Sequence, residues 1–134
     1  MSFTLSLHRA FVADHFHDLP GFQEDRHGHN WEVEAAVVQD ADRLEALGAI
    51  GVARVFATGG SFNAGLWHPL DPFARNRDLN DKAWTLDHFE KKLLKLPGLM
   101  KTATGRRLAE PRLRTMEAYL QALRIEIDVE FRGN

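Results

Sequence analysis

Three stretches of the chain alternate apolar and polar residues with a period of two, and that pattern limits the available folds more than any other. Phe3, Leu5, Leu7, Phe11 and Ala13 share one parity, against Thr4, Ser6 and His8. Residues 29–39 repeat the pattern, with Trp31, Val33, Ala35 and Val37 opposite Glu32 and Glu34. Near the end, Ile125, Ile127, Val129 and Phe131 stand against Glu126, Asp128 and Glu130. Successive side chains of a strand point to opposite faces, so each stretch predicts a strand buried on one side. The first two are read as an antiparallel pair joined by the Pro- and Gly-containing loop 16–28.

Between them lie helical patterns. Residues 40–48 predict a short helix with Asp40 or Asp42 as cap, Leu44 and Leu47 as contacts and Gly48 as stop. Residues 50–56, IGVARVF, read as a strand, and the turn-rich stretch after them has no regular pattern. In residues 85–96, Leu86, Phe89, Leu93 and Leu96 fall on one stripe, Thr85 can cap, and Pro97-Gly98 stops the helix. Residues 99–111 read as a connector. Residues 112–123 predict a second helix on Leu113, Met116, Leu120 and Leu123. The order of strands and helices predicts an α+β fold, and 134 residues predict one domain over 1–134.

Composition narrows the chemistry. The chain has no cysteine, which excludes a disulfide framework, a thiolate nucleophile and Cys-type zinc sites. Seventeen basic residues against nineteen acidic ones leave a formal charge of −2, which argues against nucleic acid or an anionic membrane as partner. No apolar run approaches the roughly 18 residues of a membrane span. Met1 to Ala10 does not read as a signal peptide, so the expected location is the cytoplasm.

Of the seven histidines, four lie between His15 and His29. On a strand, His27 and His29 point to the same side. If the first two strands pair, His15 stands opposite them. Three imidazoles on one wall with a fourth position open suit catalytic zinc. A polar strand end carrying solvated histidines fits the same spacing.

Phe11-Val12-Ala13-Asp14-His15, followed after a loop by His27-Gly28-His29-Asn30-Trp31, resembles the 6-pyruvoyl tetrahydropterin synthase family, which includes the 6-carboxytetrahydropterin synthases. The resemblance implies Zn2+ on His15, His27 and His29. It also implies a T-fold: an antiparallel sheet with two helices on one face, closed by oligomerisation into a barrel, here a homohexamer. Residues 45–84 match nothing in that family and are read as an atypical insertion. The family's catalytic cysteine, four residues before the HGH, is replaced by Gln23. The neighbouring Glu24 is the candidate base, or else a solvated loop carboxylate. Leu86-Asp87-His88 matches the family's Leu-Asp-His motif and makes Asp87 and His88 catalytic candidates; in a rival alignment they open a helix. Thr115 and Glu117 resemble the family's pterin-contacting Thr-x-Glu, and Glu130 its ring-anchoring glutamate.

The resemblance therefore implies a zinc-dependent lyase. It would cleave or epimerise the side chain of a dihydroneopterin-type substrate, the missing thiol disfavouring the family's usual elimination. Two alternatives stand beside it: a catalytically silent pterin- or purine-binding homologue, and a different zinc-dependent hydrolase or lyase acting on a purine-like substrate.

Overall fold

A computed structural model of the chain describes residues 30–132. Its elements are α1 (Asn30–Glu45), α2 (Gly48–Ser61), α3 (Asp87–Lys91), a 3-10 helix (Leu93–Leu99) and α4 (Ala103–Arg132). Among the described residues there is no strand. The extended pairing is confined to one isolated parallel bridge, Gly65 with Trp84. The predicted α+β T-fold, with its antiparallel sheet and barrel, is therefore overturned: these residues form a helical fold.

The reason lies in which residues are buried. Val37, Asp40, Ala41 and Leu44 are buried along α1, at spacings of three and four, while Val38 is exposed. That is the stripe of a helix. The same holds at the end of the chain. Met116 and Ile127 are buried on α4, with Leu120 and Leu123 packed beside them, whereas Ile125 is 56% exposed. On a strand Ile125 and Ile127 would share a face. On a helix two residues apart are rotated by about 200°, so one is buried and the other faces water. The segment read as a strand from Ile50 is likewise α2.

The apolar stripe of residues 85–96 is buried as a set: Leu86, Phe89, Leu93 and Leu96 all belong to the core. The backbone there is short α3 followed by the 3-10 helix, which runs through Pro97 and Gly98 instead of stopping at them. Thr85 does not cap α3. Met100, Ala109, Leu44 and Leu47 complete the core from the other helices. Phe56, Phe89 and Tyr119 form an aromatic cluster with centroids 5.9–6.3 Å apart, which ties α2, α3 and α4 together.

One carboxylate fixes where α4 begins. Asp40, fully buried on α1, accepts the backbone N–H groups of Lys101 and Thr102 and the Thr102 hydroxyl, with Oδ2 distances of 3.0, 2.8 and 2.9 Å. Thr102 in turn accepts the Gly105 N–H at 2.9 Å, the geometry of an N-cap. Asp40 thus satisfies donors at a helix start from a neighbouring helix, where a negative charge also suits the dipole. A Cβ at Gly105 would run into the Asp40 carboxylate, so this position requires glycine. Asp40, expected to cap its own helix, secures another one.

Among the described residues no helix is long and apolar enough to cross a membrane.

Candidate functional site

A groove with a volume of about 690 Å³ opens between α2 and the residues leading into α3. Its apolar side is formed by Ala46, Val55, Phe62 and Leu93. Arg54, Lys82 and Lys92 bring cationic groups to the same groove, along with Asp81 and His88. The groove exists because α2 lies close against the approach to α3. At Gly59 a Cβ would collide with the Thr85 hydroxyl, so that approach is open to glycine alone. Past α2, Gly65 is bonded on both sides of the bridge: its N–H donates to the Ala83 carbonyl and its carbonyl accepts the Thr85 N–H, both at 2.9 Å.

Asp81 sits at the groove's edge between a lysine and a histidine. It accepts Lys91 Nζ at 2.6 Å and meets His88 Nδ1 at 2.9 Å. Lys91 first, and His88 with it, hold its carboxyl down at about 2, well below the ordinary 3.8. An acceptor at Nδ1 puts the hydrogen of a neutral imidazole there and leaves Nε2 as the acceptor. Arg54 is paired with Glu45 at 3.0 Å across an exposed surface. Lys82 and Lys92 enter no ion pair among the described residues. The groove therefore offers two ammonium groups without an ion-pair partner among the described residues, one hydrogen-bonding imidazole and an apolar wall. These groups suit a ligand with an anionic end and a flat apolar end.

Asp87 is buried and has a different role. It receives Arg77 in a two-pronged ion pair at 2.6 and 2.7 Å and the Asn80 N–H at 2.7 Å. Burial pushes its carboxyl up, but the Arg77 guanidinium and the Asn80 N–H outweigh that and hold it below the usual range. The same bond raises Arg77 above its usual value. Arg77 also donates from Nε to the Asp71 carbonyl at 3.0 Å. All of the Asp87 partners are structural, and they pin the irregular segment 71–80 to α3.

The site residues predicted from the sequence fall in three groups. His15, Glu24, His27 and His29 lie outside the described residues. Asp87 and His88 open α3, but they point to different partners, Arg77 and Asp81, and do not act as a pair. Thr115 and Glu117 are exposed on α4, and the Thr115 hydroxyl donates to the Pro111 carbonyl of its own helix at 3.1 Å. Glu130 is on the last turns of α4 and not on a strand. The described residues do not bring Thr115 or Glu117 to the groove. Arg54, Phe62, Asp81, Lys82 and Lys92 were not singled out from the sequence. They lie up to 38 positions apart, from Arg54 to Lys92, and no local spacing links them.

The comparisons with known proteins agree with a helical fold. No protein-family model matches the chain. The chain is 38% identical over 95 residues to YpgQ of Bacillus subtilis strain 168, which covers 71% of this chain and 40% of YpgQ. The crystal structure of Bacillus subtilis YpgQ in complex with ADP matches with a TM-score of 0.60 and 39% identity, over 70% of this chain and 44% of that one. An HD-superfamily hydrolase from Bacillus thuringiensis matches with a TM-score of 0.59 and 43% identity, over 72% of this chain and 47% of that one. This chain spans less than half of each of these relatives.

These relatives correct the sequence reading. They are helical proteins of the YpgQ and HD-superfamily hydrolase kind, and nothing among them belongs to the 6-pyruvoyl tetrahydropterin synthase family. The pterin lyase, in either its cleaving or its epimerising form, is withdrawn with the family, and so is the pterin-binding alternative. The expectation of a homohexamer rested on that family and on exposed sheet edges, and the described residues have no sheet to close. HD-superfamily hydrolases are typically metal-dependent. The described residues do not fit a metal: no group of three or more His, Asp or Glu among them is placed to hold one.

Proposed function

We propose that the chain belongs to a hydrolase of nucleoside phosphates and carries the groove that holds the substrate. The observation that supports this best is the groove itself, where Lys82, Lys92 and His88 face an apolar wall. Ammonium groups attract phosphate and the apolar wall accepts a base. The relatives support the same reading, one by its description as a hydrolase and one by its bound ADP.

In this reading Lys82 and Lys92 neutralise phosphate oxygens and orient the chain of phosphates. His88, with Nδ1 committed to Asp81, offers Nε2 as the acceptor for a proton of an attacking water. Asp81 keeps its charge at all ordinary pH values and so keeps that tautomer. The proposed metal is zinc and the proposed location is the cytoplasm. Elemental analysis of the purified protein, with His27→Ala beside it, decides the metal.

The test is release of phosphate or pyrophosphate from ADP and ATP by the full chain, with Zn2+, Mn2+ or Mg2+ added in turn. Release that falls at least tenfold in Lys82→Ala supports the reading. No release and no binding of either nucleotide with any of the three metals overturns it.

A further inference from the structure

At the end of α2 the chain presents an aromatic ring to solvent. Phe62 is 78% exposed, yet it lines the groove. A single exposed apolar side chain is ordinary on a protein surface; what distinguishes Phe62 is that it lines a groove shared with cationic side chains. The backbone beneath Phe62 is held firmly. Its N–H donates to the Thr58 and Gly59 carbonyls at 3.3 and 3.1 Å, and Ser61 Oγ donates to Thr58 at 2.7 Å. Asn63 takes a left-handed turn at φ 57°, and the Ala64 N–H closes back on Gly59 at 2.9 Å. The ring is thus mounted on a fixed helix end. A fixed platform loses little freedom when a ligand settles on it.

Its position along α2 adds a second constraint. Arg54, Thr58 and Phe62 recur every four residues and line the same groove. At 1.5 Å per residue, Arg54 and Phe62 are separated along the helix by about 12 Å. Arg54 and the ring are therefore set apart along one groove, which Lys82 and Lys92 also line.

We propose that Phe62 is the base platform of the groove: it stacks on the nucleobase while Lys82 and Lys92 hold the phosphates. This deepens, and rests on, the reading of the groove as a nucleoside-phosphate site. Every base has a π-face, so stacking accepts all of them. Phe62 accordingly selects nucleoside phosphates over phosphates that lack a base, and does not select one base over another.

Calorimetric titration of the full chain with ADP and, separately, with inorganic pyrophosphate tests this in the wild type, Phe62→Ala and Phe62→Tyr. The expected result is ADP binding weakened about tenfold or more in Phe62→Ala, pyrophosphate binding unchanged, and ADP binding restored in Phe62→Tyr. Because the side chain is exposed, neither variant disturbs the core, and unchanged helical circular dichroism verifies this. ADP binding unchanged in Phe62→Ala overturns the platform while leaving the groove's nucleotide reading in place. Equal weakening of ADP and pyrophosphate also overturns it, because the ring would then be supporting the groove and not the base. A wild type that binds neither ligand removes the underlying reading and the platform together.

Discussion

Asp40 and Asp81 are both aspartates with cationic neighbours, and they are placed very differently. Asp40 is fully buried, and its bonds to Lys101, Thr102 and Arg43 all come from within the fold. Asp81 stands at the edge of an open groove, and its partners Lys91 and His88 remain partly exposed. The first carboxylate joins two helices whose contact lies 61–62 residues apart in sequence. The second adds little to that packing and instead orients and sets the tautomer of a histidine that lines the groove. A buried charge with every bond satisfied marks architecture, whereas a charge cluster left open beside lysines that enter no ion pair among the described residues marks a place for something else.

This contrast predicts a graded series of effects. Phe89→Ala, at the centre of the aromatic cluster, should cost about 4 kcal/mol of stability in urea unfolding. Asp40→Ala strips the partner from two backbone N–H groups and from Arg43, and should cost about 3 kcal/mol. The folded fraction of that variant should bind ADP as the wild type does. A stable Asp40→Ala protein would remove the architectural half of the comparison. Asp87→Asn breaks the two-pronged bond to Arg77 and should cost about 2 kcal/mol, without the groove losing its lysines.

Asp81→Asn is expected to act mainly on ligand binding. Its carboxyl is held at about 2 when folded, against an ordinary value of 3.8. A lowered folded value means that the contribution is complete above the unfolded value and is lost as the pH falls through the folded one. Stability followed by urea midpoints should therefore fall below about pH 4 in the wild type, and more gently in Asp81→Asn. The difference should stay under about 1 kcal/mol because the partners are exposed. ADP binding at neutral pH should change more than that. The smallest effects belong to Thr115→Ala and Glu117→Ala, both exposed on α4. These should stay within about 0.5 kcal/mol in stability and leave ADP binding untouched. A large loss of binding in either would put the substrate on α4 instead of in the groove.

The apolar contacts of the fold were more legible in the sequence than its backbone. The stripe Leu86, Phe89, Leu93 and Leu96 is buried as the spacing indicates. Met116, Leu120 and Leu123 pack on the core as the second helical pattern indicates. One further step of that spacing reaches Ile127, which is also buried. The alternation of residues 124–131 competes with this stripe, and the helix prevails because α4 already presents its apolar side to the core. The same competition decides α1. Trp31, Val33, Ala35 and Val37 alternate, but Val37, Ala41 and Leu44 continue at helical spacing toward a helix they can pack against.

The groove was not legible, and the reason is geometric. Asp81 and His88 are seven positions apart and meet across the start of α3, while Arg54 comes from another helix altogether. No periodic rule connects such residues, because packing alone brings them together. The short histidine motif gave a sharper but misleading signal. It pointed to a family whose sheet the described residues do not form.

The central claim is that Lys82 and Lys92 make the groove a phosphate site. Calorimetric titration of ADP into the full chain and into the Lys82→Ala/Lys92→Ala double variant tests it most directly. Both side chains are exposed, so the double variant keeps the fold. The account predicts saturable binding to the wild type that weakens by about a hundredfold or more in the double variant, each lost charge-assisted contact contributing about tenfold. Equal binding to both proteins would contradict it and would move the ligand out of the groove.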